Sequence, residues 1–377
     1  MNKVKIAHIV HSVGGVDVSL RLILESIDPC NFESIVIHGT GDAKSAFIDK
    51  NGKSISEFKL PLQRNISIIR DCKCLIHTIK ILKRHRPDII HGHSAKGGII
   101  AKLVGYNLKI PVLHTPQAYS YLSASNKLKK SVYLLIEKMI SFRGNKILAS
   151  SNSEKNRALF EVGYPENRVL LFNNSIRPIV KIQSLSINKT WPDEYICSVG
   201  RPSYQKNIEL MLDVLVNLKN KKNNIHLVLM GVGFHSPNLR IVKNKIRRLN
   251  LESNITLLEW TSREDIFNII KNSQLYLSTA RYEGLPYSII ESLALAKPIV
   301  ATNVDGNRDL VIDNYNGRLI RNENVSALSK SVMEIINSED LKQKYSLNSL
   351  KLFNENFNIL NNINQLENIY KKTARYL

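Results

Sequence analysis

Short apolar runs rich in Val, Ile and Leu alternate along this chain with longer stretches whose apolar residues recur at helical spacing. In the first half the strand-like runs are VKIAHIV (4–10), SIVIHG (34–39), DIIHGH (88–93), PVLHTPQ (111–117), KILASS (146–151) and VLLFNN (169–174). Helical patterns such as CLIHTIKILKRHR (74–86) and SEKNRALFEVG (153–163) separate them. The alternation predicts parallel βαβ units in a doubly wound sheet. It weakens over 175–193, where two prolines and several small polar residues indicate a linker. It then restarts with YICSVG (195–200), IHLVLM (225–230), NITLLEW (254–260), QLYLST (274–279), KPIVAT (297–302) and GRLI (317–320). A second Rossmann-like domain is therefore expected. The tail from about residue 340 reads as helical and rich in Asn and Lys.

The expectation is α/β, with two doubly wound domains facing a central cleft. Residues 1–178 would form the first, and 179–377 the second, with a helical tail able to pack back on the first. A length of 377 residues favours two domains, and 43% apolar residues supply real cores and exclude a disordered chain. No apolar run reaches the ~18–20 residues needed to span a bilayer, and the start lacks a signal-peptide cleavage pattern. A cytosolic location is expected. The four cysteines do not complete a metal cluster: Cys72 and Cys74 are too close for the usual zinc pairing.

Ligands of such sheets sit at the carboxyl ends of strands, so the segments that follow strands carry the candidate chemistry. After 195–200 comes VGRPSYQKN. Arg201 and Lys206 flank a helix start, which offers unpaired N–H groups to a diphosphate; the bland reading is two solvated cations near a turn. MGVGFH at 230–235 lacks the third glycine of a dinucleotide fingerprint. The stretch ARYEGLPYSIIESLALAKPIVAT (280–302) places Glu283 in a turn before a helix and Glu291 in its second turn, with Ile289, Ile290, Leu293 and Leu295 as core positions. Carboxylates accept paired hydrogen bonds from vicinal hydroxyls, so one acid can hold a nucleotide ribose and the other a sugar. Equally, they are an acid near a positive helix end and an acid on a solvated face.

VGRPSYQKN, followed about eighty residues later by EGLPYSIIESLALAKPIVATNVDG, resembles the donor half of family 4 glycosyltransferases, retaining enzymes of the GT-B fold. PDIIHGHSAKGGIIA and IPVLHTPQAYSY resemble the family's acceptor-side segments, and the resemblance spans roughly residues 4–370. NNSI (173–176) departs from the Asn-Gly of many members. The resemblance implies roles. Arg201 and Lys206 would neutralise the leaving diphosphate, Glu291 would hold the donor ribose, and Glu283 would bind donor-sugar hydroxyls. Backbone N–H groups from Gly284 to Tyr287, across the Leu285–Pro286 turn, would meet phosphate oxygens. Gly14 and Gly15 would let the backbone approach the diphosphate, and His114 would lie near the donor sugar. Asp17 and His93 are weaker candidates for acceptor contact, and a structural role serves as well for His91 and His93.

The resemblance implies transfer of a hexosyl group with retention from a nucleotide-diphosphate sugar, UDP-linked before GDP-linked. The acceptor would be a glycan, polyprenyl-diphosphate-linked, in bacterial surface polysaccharide synthesis (capsule, O-antigen or exopolysaccharide). No cofactor is expected. No Asp-x-Asp metal motif occurs, and the cations and helix end would replace a metal. Glu283 and Glu291 are not assigned the nucleophile and acid roles of a glycosidase pair.

Charge adds a partner. The net charge is +21; residues 1–178 hold 27 Lys and Arg against 13 Asp and Glu, and the remainder 26 against 19. An anionic partner or simply a Lys-rich soluble surface accounts for this. In NKLKKSVYLLIEKMISFRGNK (126–146) basic positions 127, 129, 130, 138, 143 and 146 interleave with Leu128, Val132, Leu135, Ile136, Met139 and Ile140. That is a basic amphipathic helix, suited to an anionic membrane surface at the inner face of the cytoplasmic membrane, or a half-buried helix with a solvated basic face. A nucleotide-sugar epimerase or a nucleotide-independent phosphorylase of the same fold is the competing enzyme class. A nucleic-acid binder is disfavoured, since no helix-turn-helix, zinc finger or RNA-binding aromatic pair is present.

Overall fold

The computed structural model describes residues 3–42, 45–63, 67–124, 126–141, 145–221, 225–233, 236–259, 261–321 and 323–374. Arg143, Phe234, His235 and Trp260, which fall in segments read from the sequence, lie outside the described residues.

The chain divides into two compact units: 1–177 with 359–377, and 178–358. The first runs β1 (Val4–Ile9), α1 (Gly15–Leu24), β2 (Phe32–Gly39), β3 (Ser56–Leu60), α2 (Ile68–His85), β4 (Ile89–His93), α3 (Ser94–Leu108), β5 (Val112–Thr115), α4 (Lys127–Met139), β6 (Asn145–Ala149), α5 (Asn152–Arg157) and β7 (Val169–Leu171). Its seven strands pair in the order β3-β2-β1-β4-β5-β6-β7, every one parallel to its neighbours. The strands are Val/Ile-rich, and the central ones are buried on both faces, which all-parallel sheets require.

The second unit runs β8 (Tyr195–Val199), α6 (Ile208–Asn220), β9 (His226–Met230), α7 (Leu239–Arg248), β10 (Ile255–Leu258), α8 (Arg263–Asn272), β11 (Tyr276–Ser278), α9 (Tyr287–Ala294), β12 (Ile299–Thr302), α10 (Asn307–Leu310), β13 (Gly317–Ile320), α11 (Val325–Ile336) and α12 (Glu339–Asn356). Its six-stranded parallel sheet has the order β10-β9-β8-β11-β12-β13. A core of Ile196, Leu212, Leu215, Leu227, Leu229, Leu277 and Val300, each at most 2% exposed, fills the space between sheet and helices.

The last helix, α13 (Ile359–Ala374), belongs to the first unit. There Tyr370 is fully buried beside β4, and the Asp28 amide donates to Glu367 at 2.8 Å. The segment 175–194 carries no helix or strand.

Strand order decides where chemistry sits. In each sheet it reverses at one point, between β1 and β4 and between β8 and β11. There the following helices leave on opposite faces and open a crevice at the strands' carboxyl ends. The Arg201–Lys206 segment follows β8, and the Glu283 segment follows β11. In the first unit Gly14 and Gly15 follow β1.

Candidate active site

At the switch point of the second unit, two loops close on each other. The Arg281 amide donates to Gln205 O at 2.8 Å, the Arg281 guanidinium donates to Tyr204 O at 2.9 Å, and Thr279 Oγ1 donates to Asn207 O at 2.9 Å. Asn207 holds the left-handed conformation (φ 49°) at the start of α6. This lacing brings Lys206 Nζ within 2.7 Å of Glu283 Oε1, while Gln205 Nε2 donates to Oε2 at 3.0 Å. Glu283 is 7% exposed, so its charge is both buried and matched. Burial alone would lower the Lys206 pKa, but Glu283 and the Tyr276 hydroxyl outweigh it and the ammonium is held above its ordinary value. Arg201 is exposed, forms no ion pair among the described residues, and its charge acts on Lys206. The lysine packs along Gly200, where a Cβ would sit 3.0 Å from its Cδ.

Gly306, after β12, supports the acid from beneath. Its φ is +76°, and a Cβ there would lie 2.7 Å from Glu283 Cβ and 2.8 Å from Gly284 O. Gly306→Ala therefore meets strain and a clash together. We expect it to cost more than about 1 kcal/mol and to displace the Glu283 turn. A fall in thermal midpoint with weakened nucleotide binding checks this, and an unchanged protein contradicts it.

Helix α9 begins at Tyr287, where the sequence pattern starts it, with Pro286 as its N-cap, and no side chain caps it. Gly284 and Leu285 form the turn ahead of it. Ile289, Ile290, Leu293 and Leu295 are all buried, as read from the pattern. Glu291 differs from the reading of an acid on a solvated face: it is 8% exposed. The Arg263 guanidinium donates to its Oε1 at 2.9 Å. Burial pushes the Glu291 carboxyl up to about 7 against the opposing pull of Arg263.

The other expected residues lie in the first unit. Gly14 takes φ +63° at the start of α1, with open space where a Cβ would stand. Gly15 is the helix's first residue. Asp17 accepts from Ser12 Oγ at 2.6 Å and from Arg21 Nε at 2.9 Å. His114 is 0% exposed; its Nε2–H donates to Ser94 O at 3.1 Å, and the ring packs where a Cβ on Gly98 would intrude. His93 is also 0% exposed, with Nε2 3.1 Å from His8 Nδ1. A ligand contact from either ring requires its packing to open.

His8, His91 and His93 form a buried cluster whose ring nitrogens lie within 4.8 Å of one another. Both His91 nitrogens are engaged, by Tyr370 OH at 2.8 Å and Thr115 Oγ1 at 2.9 Å, so a metal ion would have to displace one. Burial lowers the pKa of each of the three, that of His93 to about 3. Their unfolded value is about 6.5. The unfolded chain thus takes up protons first as pH falls, and stability present above about 6.5 is lost progressively below it, by up to about 1.4 kcal/mol per pH unit for each histidine. The thermal midpoint is expected to drop between pH 6.5 and 5; a flat profile would contradict the buried neutral cluster.

Sequence reasoning missed Gln205, Arg263 and Gly306. Only Arg263 had a readable signal: Ser262 in TSRED is a capping residue whose Oγ accepts from the Asp265 amide, fixing Arg263 as the first residue of α8.

Two families match. Residues 13–178 match Glycosyltransferase Family 4, and residues 182–352 match Glycosyl transferases group 1. The UDP-Gal:alpha-D-GlcNAc-diphosphoundecaprenol alpha-1,3-galactosyltransferase of Escherichia coli is 26% identical over 388 residues, covering 98% of this chain and 97% of that protein. The capsular polysaccharide biosynthesis glycosyltransferase CapM of Staphylococcus aureus is 22% identical, covering 86% and 88%. Among solved structures, Anabaena HepE in complex with UDP and glucose superposes with a TM-score of 0.79 at 16% identity, covering 98% of this chain and 100% of that one. With both halves matched and both sheets of the expected topology, the chain belongs to the family 4 glycosyltransferases and has the GT-B fold.

Proposed function

We propose that this glycosyltransferase moves a hexosyl group from a UDP-sugar to a lipid-linked glycan acceptor, with retention and without a metal, in the synthesis of a surface polysaccharide. The observation that carries the reading is the Lys206–Glu283 pair near Arg201, which forms no ion pair among the described residues, at a topological switch point. When the anomeric C–O bond breaks, negative charge collects on the departing diphosphate. Arg201, Lys206 and the start of α9 are the fixed positive groups that meet it. Glu283, held by Lys206 and Gln205, offers acceptor lone pairs to donor-sugar hydroxyls, and Glu291 offers them to the ribose. The turn at Gly14 and Gly15 leaves the backbone open to a phosphate. Retention follows from front-face attack: the acceptor hydroxyl approaches on the leaving-group side, its proton passes to a departing phosphate oxygen, and the new C–O bond forms on that face. The named relatives support the donor and acceptor classes, one being a UDP-galactose enzyme with a diphosphoundecaprenol acceptor. Product anomer by NMR, with the reaction run in EDTA, tests retention and metal independence; an inverted anomer or loss of activity in EDTA overturns them.

Helix α4 supports an acceptor at a membrane. Leu128, Val132, Leu135, Ile136 and Met139 are 37–75% exposed, while the buried residue of the helix is Glu137. Glu137 is paired inward with the fully buried Lys102 of α3 at 3.6 Å. A helix of a soluble domain normally turns its apolar stripe to the core; here Tyr133 and Leu134 pack inward, while the larger stripe of Leu128, Val132, Leu135, Ile136 and Met139 faces out, flanked by exposed Lys127, Lys129, Lys130 and Lys138. That arrangement suits an anionic bilayer surface. Among the described residues, no helix is long and apolar enough to cross a membrane.

A further inference from the structure

Arg263 stands out because it ties down an acid that the donor site needs. It opens α8, whose N-terminus is fixed twice: Ser262 Oγ accepts from the Asp265 amide at 3.1 Å, and Asp265 accepts from the Ser186 amide at 2.7 Å and from the Ser186 hydroxyl. The guanidinium lies 5.4 Å over the Phe267 ring, one turn along the same helix. From there it reaches Glu291 Oε1 at 2.9 Å. Oε2 has no hydrogen-bond partner among the described residues. Arg263 itself remains 41% exposed at its side chain, against 11% for Glu291, so the pair stands at the edge of the core with one face open.

We infer that Arg263 is a positioning residue for the donor: by holding Oε1 from a rigid helix start, it fixes the Glu291 carboxylate so that Oε2 is presented to the vicinal hydroxyls of the nucleotide's ribose. The inference rests on the reading of Glu291 as the ribose contact. A carboxylate accepts two hydroxyl protons, whereas a protonated acid gives up part of that capacity. Burial already raises this carboxyl to about 7, with Arg263 pulling the other way. Removing the guanidinium leaves burial unopposed and moves the titration upward.

Arg263 is the charged group that acts on Glu291. On the neighbouring elements, Asp265 of α8 is turned to Ser186 and Ser262, and Glu264 is exposed. On α10, Arg308 pairs with Asp305 and Asp309 accepts from the Gly306 amide. On α12, Lys344, Lys351 and Glu355 are exposed.

The test is the affinity of uridine diphosphate and guanosine diphosphate, by calorimetry from pH 6 to 9, for the full chain and its R263Q, R263K and E291Q variants. Comparing variants at each pH cancels the titration of the ligand's own phosphate. R263Q is expected to weaken binding of the preferred nucleotide roughly tenfold at pH 7 and by less than about threefold at pH 9, with R263K close to the parent throughout. No loss in R263Q at pH 7, or a loss that R263K does not restore, overturns the positioning role. E291Q separates the two readings. If it weakens binding while R263Q shows no loss, Glu291 holds the ribose without help from Arg263. If E291Q binds as tightly as the parent, or the parent binds neither nucleotide, the ribose reading falls and this inference with it.

Discussion

Lys206→Met is expected to reduce sugar transfer by on the order of 10²–10³-fold, the size of effect seen when one preorganised group facing developing charge is removed. The change should appear in kcat, because the charge on the departing diphosphate is greatest in the transition state. Lys206 is also the partner of a buried acid, and stripping one member from a buried pair is destabilising. Arg201→Met separates the two effects. Arg201 is exposed and forms no ion pair among the described residues, so its replacement should leave the thermal midpoint nearly unchanged while transfer still falls by on the order of 100-fold. Steady-state kinetics beside thermal unfolding check both variants. Full activity in Arg201→Met together with Glu283→Ala would show that the reacting site lies elsewhere.

The second large effect is on membrane binding. Leu128, Leu135 and Met139 of α4 are 75%, 57% and 66% exposed, so changing all three to serine removes little that holds the fold. Each apolar side chain buried in a bilayer interface contributes about 1.5–3 kcal/mol. The triple variant is therefore expected to bind vesicles containing anionic lipid at least about 100-fold more weakly, with its thermal midpoint kept. Lys129→Gln with Lys130→Gln should weaken binding less, at about 1 kcal/mol per charge, and mainly at low salt. Equal binding of the parent and the serine variant in a co-sedimentation assay would contradict the outward stripe as a membrane contact.

Both sites show what a sequence can and cannot carry. The two parallel sheets were legible because buried parallel strands are short, continuous apolar runs, as in IHLVLM and KPIVAT. Strand β3 was not: Ser-Glu-Phe-Lys-Leu is an edge strand with charges at alternate positions, and nothing in it exceeds the signal of a loop. The spacing of Glu283 and Glu291 was legible, but their partners were not. Lys206 meets Glu283 only because parallel β8 and β11 place distant loops side by side. Arg263 meets Glu291 through the packing of α8 on α9, which no local pattern records. The amphipathy of α4 was plain, whereas its orientation was not. Periodicity says that a helix has two faces, and here the inward one carries Tyr133, Leu134 and a buried Glu137 paired with Lys102, while the larger apolar stripe stays exposed.

The most direct test is incubation of the protein with a panel of nucleotide sugars, with and without a polyprenyl-diphosphate-linked glycan, following release of nucleoside diphosphate. One UDP-sugar is expected to release its nucleotide only when the acceptor is present, with the sugar recovered on the lipid-linked glycan. Interconversion of the donor sugar without acceptor, or no release from any donor with the acceptor present, would contradict transfer to a lipid-linked glycan.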